Sequence, residues 1–111
     1  TLRHRSILYV GGIPRSVPRL KAAVDPYRAT LVHHDGGVEE SMRSLDALVE
    51  RCDLVCCPVD CVSHDACRRT KKLCKRHGKP FVPLRSAGSA GLVNALTSAL
   101  ARSQTGLEQP E

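Results

Sequence analysis

The sequence contains no tryptophan, one phenylalanine and two tyrosines in 111 residues. That scarcity removes the aromatic platform on which single-stranded nucleic acids stack their bases. No apolar run approaches the roughly 20 residues that a membrane-spanning helix requires, and the basic N-terminal residues are not followed by the apolar core of a secretory signal. The expectation is a soluble, cytoplasmic domain with no membrane partner. Several enzymatic signatures are also missing. No two cysteines are separated by two residues, which excludes a thioredoxin-type redox motif. Cys61 is followed six residues later by Cys67, where a phosphatase loop needs arginine. Gly11-Gly12 lacks the rest of a dinucleotide fingerprint, and glycines stand after the first apolar run, where a phospho-receiver needs acidic residues. No side chain shows a task as general base, so enzymatic activity is left open.

What is present suits one small domain, because 111 residues with 41% hydrophobic content allow one buried core and not two. The formal net charge is +6. Much of the excess is local, in Arg68, Arg69, Lys71, Lys72, Lys75, Arg76 and Lys79, a segment that reads as a solvated helix face able to attract nucleic acid or another anion. Six cysteines are many for this length. Cys52, Cys56, Cys67 and Cys74 fall in periodic segments, where a cysteine serves as a small buried hydrophobe. Cys57 and Cys61 stand instead at a boundary, on either side of Pro58.

The hydrophobic pattern alternates between short runs and helical stripes. Ser6 to Val10 reads as a buried strand ending in Gly11-Gly12. Val17, Leu20 and Val24 recur at helical spacing, with Pro18 in the first turn and Pro26 closing the helix. Ala29 to His33 predicts a second strand. Val38, Met42, Leu45, Leu48, Val49 and Cys52 then form an apolar stripe with charged residues between them. Leu54 to Cys57 predicts a third strand, ended by Pro58. Asp60 or Ser63 is placed to cap a helix whose apolar side runs through Ala66, Cys67, Thr70, Leu73 and Cys74, and which Gly78 ends. Pro80 to Leu84 predicts an edge strand. Ser86 or Ser89 starts a last helix carrying Leu92, Val93, Leu96, Ala99 and Leu100. Residues 103–111 are polar and aperiodic and read as a disordered tail, leaving residues 1–102 as a single α/β domain.

Four such units predict a four-stranded parallel sheet, doubly wound in the order 2-1-3-4, because parallel crossovers are right-handed. Ligands of these sheets bind outside the carboxyl ends of the strands, where the order reverses between strands one and three. Every unusual segment follows a strand: Gly11-Gly12, then His33-His34-Asp35-Gly36-Gly37, then Cys57 to His64, then Arg85-Ser86-Ala87-Gly88. Parallel pairing brings all four loops to one edge. Thiolate and imidazole ligands suit iron or zinc, so His34, Cys57, Cys61 and His64 are the candidate metal ligands, with Asp35 or Asp60 orienting a histidine. If the third helix starts near Asp60, Cys61 and His64 share its first turn, where the helix dipole favours a thiolate. Adjacent histidines in a strand point to opposite faces. His34 is preferred over His33 because the turn is expected to begin there. Gly11, Gly12, Arg85 and Ser86 are candidates for holding a small anion or nucleotide.

The segments ILYVGG, LVHHDGG, CPVDCVSHDAC and KKLCKRHGKPFVPLRSAG closely resemble a bacterial family known as a domain of unknown function, over roughly residues 6 to 100. The resemblance implies a small Rossmann-like or flavodoxin-like domain and supplies no established activity. His34, Asp35, Gly36, Ser63 and His64 match the family's pattern, whereas some members lack one or both cysteines corresponding to Cys57 and Cys61. This implies a histidine-centred site with the cysteines as a variant feature. The leading expectation is a protein that binds iron or zinc, with redox or small-molecule sensing as its role. The alternatives are a haem-binding protein, through Cys57-Pro58 and nearby histidines, and an anion or nucleotide binder at the same edge. A homodimer is compatible with the chain, and nucleic acid is a further partner that the basic segment would serve.

Overall fold

Each of the four apolar runs forms a strand in the computed structural model, which describes residues 2–36, 41–58, 64–84 and 89–107. The strands are β1 (Ser6–Val10), β2 (Thr30–His34), β3 (Leu54–Pro58) and β4 (Phe81–Leu84), alternating with helices α1 (Val17–Val24), α2 (Met42–Arg51), α3 (His64–His77) and α4 (Ser89–Leu107). All strand pairs are parallel, in the order β2-β1-β3-β4. The sheet is therefore the doubly wound one expected from the alternation, and its order reverses between β1 and β3.

Two apolar layers explain why the strands read as continuous hydrophobic runs: a parallel sheet is covered on both faces. Ile7, Tyr9, Leu31, Leu54, Cys56, Val82 and Leu84 point to one side, against Val17, Leu20 and Val24 of α1 and Leu92, Leu96, Ala99 and Leu100 of α4. Leu8, Val10, Val55 and Cys57 point to the other, against Leu45 and Val49 of α2, Cys52 just after it, and Cys74 of α3. The amino ends of β1 and β3 are clamped together. Ser6 N–H donates to Asp53 Oδ2 at 2.8 Å, and Asp53 N–H donates to Ser6 O at 2.8 Å.

Local differences from the sequence reading all concern element ends. β2 runs one residue further than the expected Ala29–His33, so His34 is the last strand residue, paired with Val10. α2 begins at Met42 and not at Val38, because Ser41 is extended and its hydroxyl accepts the Ser44 N–H, an N-cap that fixes the helix start. Val38 lies outside the described residues. α3 is described from His64 onward; Cys61, and with it the expected first turn shared with His64, lies outside the described residues. α4 continues to Leu107, past the end of its apolar stripe, as a nucleated helix extends at little cost per residue.

β1 ends in two glycines of positive φ, Gly11 at 79° and Gly12 at 81°. A Cβ on Gly12 would stand 2.7 Å from Tyr9 Cε2 and 2.8 Å from its hydroxyl oxygen, so the Tyr9 ring occupies that space. Gly78, after α3, has φ 67° with nothing within 4 Å of a Cβ. The pair separates backbone strain from crowding. Gly78→Ala is expected to lose only the left-handed penalty, about 1–2 kcal/mol, whereas Gly12→Ala adds an overpacking cost for a total of about 2–4 kcal/mol. Urea denaturation of both variants checks this; equal losses would contradict it.

Candidate functional site

His34 closes the carboxyl end of β2 with its side chain fully buried, on the same sheet face as Val32 and Val10. Both ring nitrogens are bonded within the protein. Nδ1 accepts the Gly36 N–H at 3.0 Å. Nε2 therefore carries the proton and donates to Ser41 O at 3.0 Å, with Ser44 Oγ at 3.1 Å as a second acceptor. The Ser44 hydroxyl proton is itself directed to Ser41 O, at 2.7 Å, which leaves its oxygen able to accept. These partners define a neutral ring with Nε2 protonated, and Asp35 Oδ1, 3.9 Å from Nδ1, faces an uncharged nitrogen. One buried imidazole thus joins the end of β2, the turn at Gly36 (φ 81°) and the N-cap of α2.

His33 points to the opposite face, beside Tyr9, with ring centroids 6.1 Å apart. Its Nε2 approaches Gly11 O at 2.9 Å. A carbonyl oxygen only accepts, so Nε2 carries a proton, and in the neutral ring Nδ1 is the nitrogen with the free lone pair. The Gly11 N–H donates in turn to His34 O at 2.8 Å. The turn after β1 is therefore tied to the two histidines by a backbone bond to one and a ring bond to the other.

Cys57 occupies the same row as His34, with Val10 of β1 between them. That separates their backbones by two strand spacings, about 9.6 Å. The Cys57 thiol is buried and donates to Val10 O at 3.5 Å; Cys56, one residue earlier and on the other face, donates to Leu8 O at 3.4 Å. Burial pushes the Cys57 thiol well up from its ordinary pKa, and the adjacent Cys67 of α3, a hydrogen-bond partner, pushes it further. Burial likewise raises Cys52 and Cys56, and pushes Cys74 up to about 12. Cys52, Cys56, Cys57, Cys67 and Cys74 form no disulfide.

Of the residues singled out by sequence, the structure brings Gly11, Gly12, His34 and Cys57 to the carboxyl edge. As a metal ligand, His34 would give up one of its ring bonds, and Cys57 would give up a proton that burial strongly retains. Cys61, Arg85 and Ser86 lie outside the described residues, as does the His64 side chain; the His64 backbone is the first described residue of α3. Among the described residues, no three His, Cys, Asp or Glu side chains converge as a metal-binding group. Sequence reasoning passed over Ser41 and Ser44, the partners of His34, although a serine immediately before an apolar helical stripe is a recognisable N-cap signal.

A family model described as "Uncharacterized protein conserved in bacteria (DUF2325)" matches residues 6–99. The chain belongs to this family. The DUF2325 match runs from the first residue of β1 into α4, so it takes in the whole sheet and every loop at its carboxyl edge. No curated protein and no solved structure matches the chain.

The buried thiols of this DUF2325 domain make a pH prediction. An unfolded thiol releases its proton near pH 8.5, whereas the folded state holds those of Cys52, Cys56, Cys57 and Cys74 to higher pH. Above the unfolded value the native state binds more protons, so stability falls as pH rises, by up to roughly 1.4 kcal/mol per pH unit for each thiol. The thiol contribution is fully present below pH 8. Urea midpoints should drop steeply between about pH 9 and 12, and the drop should be shallower in Cys74→Ala. A profile unchanged by that substitution would contradict the assignment.

Proposed function

We propose that the domain binds a transition-metal ion, iron or zinc, outside the carboxyl ends of β1 and β3, through Cys61, His64 and the Nδ1 nitrogen of His33. His34 and Cys57 serve beneath the ion as framework. The observation that carries this reading is the His33 ring bond to Gly11 O. Metal-binding histidines typically donate one ring N–H to a carbonyl or carboxylate and ligate through the other nitrogen, and His33 is held in that manner at the sheet edge. The sheet order supports it, since β1 alone separates β2 from β3 and the loop bearing Cys61 leaves β3 at the same edge. Three protein ligands would leave a position open for a small molecule, the arrangement of reactive rather than purely structural sites. Assigning His34 to the framework agrees with its two satisfied ring nitrogens.

Elemental analysis of protein purified anaerobically, before and after reconstitution with ferrous iron or zinc, tests the proposal. The expected result is about one ion per chain in the wild type and in Cys57→Ala. Affinity should fall roughly ten- to hundredfold or more in Cys61→Ala, His64→Ala and His33→Ala. A stoichiometry near zero that reconstitution does not raise would overturn it. A Soret band on adding haem, lost in Cys57→Ala, would move the ligand class to haem.

A further inference from the structure

A second surface, independent of the carboxyl edge, lies on the outer side of α3. Its inner side is built from small residues: Ala66, Thr70 and Cys74 are buried against the sheet, with the Thr70 hydroxyl turned back onto Ala66 O at 2.6 Å. Arg68, Arg69, Lys71, Lys72, Lys75 and Arg76 are all exposed, and Lys79 follows half-buried. Arg68, Lys71, Lys72, Lys75 and Lys79 border a cleft of about 390 Å³ whose floor includes Cys74 and Phe81. Arg69, Lys72 and Arg76 border a second, of about 260 Å³, over Leu73. Lys72 is common to both, so the cations form one continuous band.

Among the described residues, none of these seven cations pairs with a carboxylate; the carboxylate contacts there are made by Arg5 to Asp53, by the His77 ring to Asp46 and by the His34 ring to Asp35. The one acidic residue of α3, Asp65, stands in its first turn, beside the helix N-terminus. The band also accounts for the whole positive balance of the chain. Outside it, ten of the 17 basic residues face 11 acidic ones. Six like charges over about 12 Å of helix, with Lys79 just beyond its end, repel one another, and a polyanion removes that repulsion.

We propose that this band binds double-stranded DNA through its phosphates, without base readout. The spacing favours a nucleic acid duplex: the helical part of the band carries about one charge per 2 Å of its length, close to the one per roughly 1.7 Å along B-DNA. A single strand would seek stacking faces for its bases, and the only aromatic ring at the band, Phe81, is half-buried in the cleft floor. A membrane would seek exposed apolar side chains to insert. The exposed large hydrophobic residues among those described are Ile13 and Tyr27, neither of them on α3.

Fluorescence anisotropy with a 20-base-pair duplex of arbitrary sequence tests the proposal, titrated between 50 and 200 mM salt. The wild type should bind with an affinity that falls steeply with salt, as log K against log salt with slope about −4 for four to five neutralised phosphates. Lys71→Glu/Lys72→Glu should weaken binding more than tenfold at 50 mM salt and flatten the slope by about 2. Arg19→Glu/Lys21→Glu, on α1 at the opposite sheet face, makes the same change in net charge and should leave affinity within about twofold if the band is the binding surface. Thermal melts confirm that both variants fold. Absence of binding at 50 mM salt, equal losses in the two variants, or tighter binding to single strands or anionic-lipid vesicles than to the duplex would each overturn the assignment.

Discussion

The carboxyl edge of the sheet depends on one neutral imidazole that has no solvent contact. His34 is placed by its parallel pairing with Val10, and a polar ring at that depth must satisfy its donor and acceptor internally or lose a few kcal/mol of desolvation free energy. It does so with three backbone or near-backbone groups: the Gly36 amide, the Ser41 carbonyl and the Ser44 hydroxyl. The same ring therefore determines how the chain leaves β2 and where α2 begins. Through its own carbonyl, His34 also receives the Gly11 amide, so the turn after β1 is positioned by the same residue. A proton added to Nδ1 would turn an acceptor toward the Gly36 donor into a second donor, which is why the neutral tautomer and the local backbone require each other.

This arrangement separates the two adjacent histidines by role. Strand alternation sends their rings to opposite faces, one into the layer covered by α2 and α3 and the other beside Tyr9. The ring with every valence satisfied belongs to the framework. The ring with one bond to a carbonyl and one remaining lone pair has the chemistry of a ligand. A similar division runs through α3. Its small inner residues seat it on the sheet, His77 fixes its end to α2 through a 2.6 Å contact with Asp46, and its outer face beyond Asp65 carries only cations as charged groups. The domain thus presents two chemically distinct regions, a histidine-bearing sheet edge and a basic flank, on one scaffold.

Much of the fold was legible in the sequence because parallel sheets covered on both faces leave a strong pattern. Ile7 to Val10 and Leu54 to Cys57 are unbroken apolar runs, and the stripe through Leu45, Val49 and Cys52 has helical spacing, so the doubly wound order followed from strands buried on both faces together with right-handed crossovers. Element ends were less legible. Val38 continues the apolar stripe of α2 in sequence, yet the helix starts at Met42 because the Ser41 cap decides its first residue. The roles of the histidines were not legible. Periodicity indicates that His33 and His34 face opposite ways but not which face is deeper or which nitrogen carries the proton, since that depends on the carbonyl of Gly11 and the amide of Gly36. The cysteines were half legible. Cys52, Cys56 and Cys74 are core residues as their spacing implied, whereas Cys57, expected at a boundary, continues the buried strand, which extends through Pro58.

The division of labour between the two histidines is tested most directly by long-range ¹⁵N–¹H correlation of the imidazole rings at neutral pH, recorded with and without zinc. The expected result is a protonated Nε2 and an unprotonated Nδ1 at His34 in both spectra, unmoved by the metal, with the Nδ1 resonance of His33 shifting on zinc addition. An imidazolium or an Nδ1-protonated ring at His34, or a zinc-induced shift there in place of His33, would contradict it.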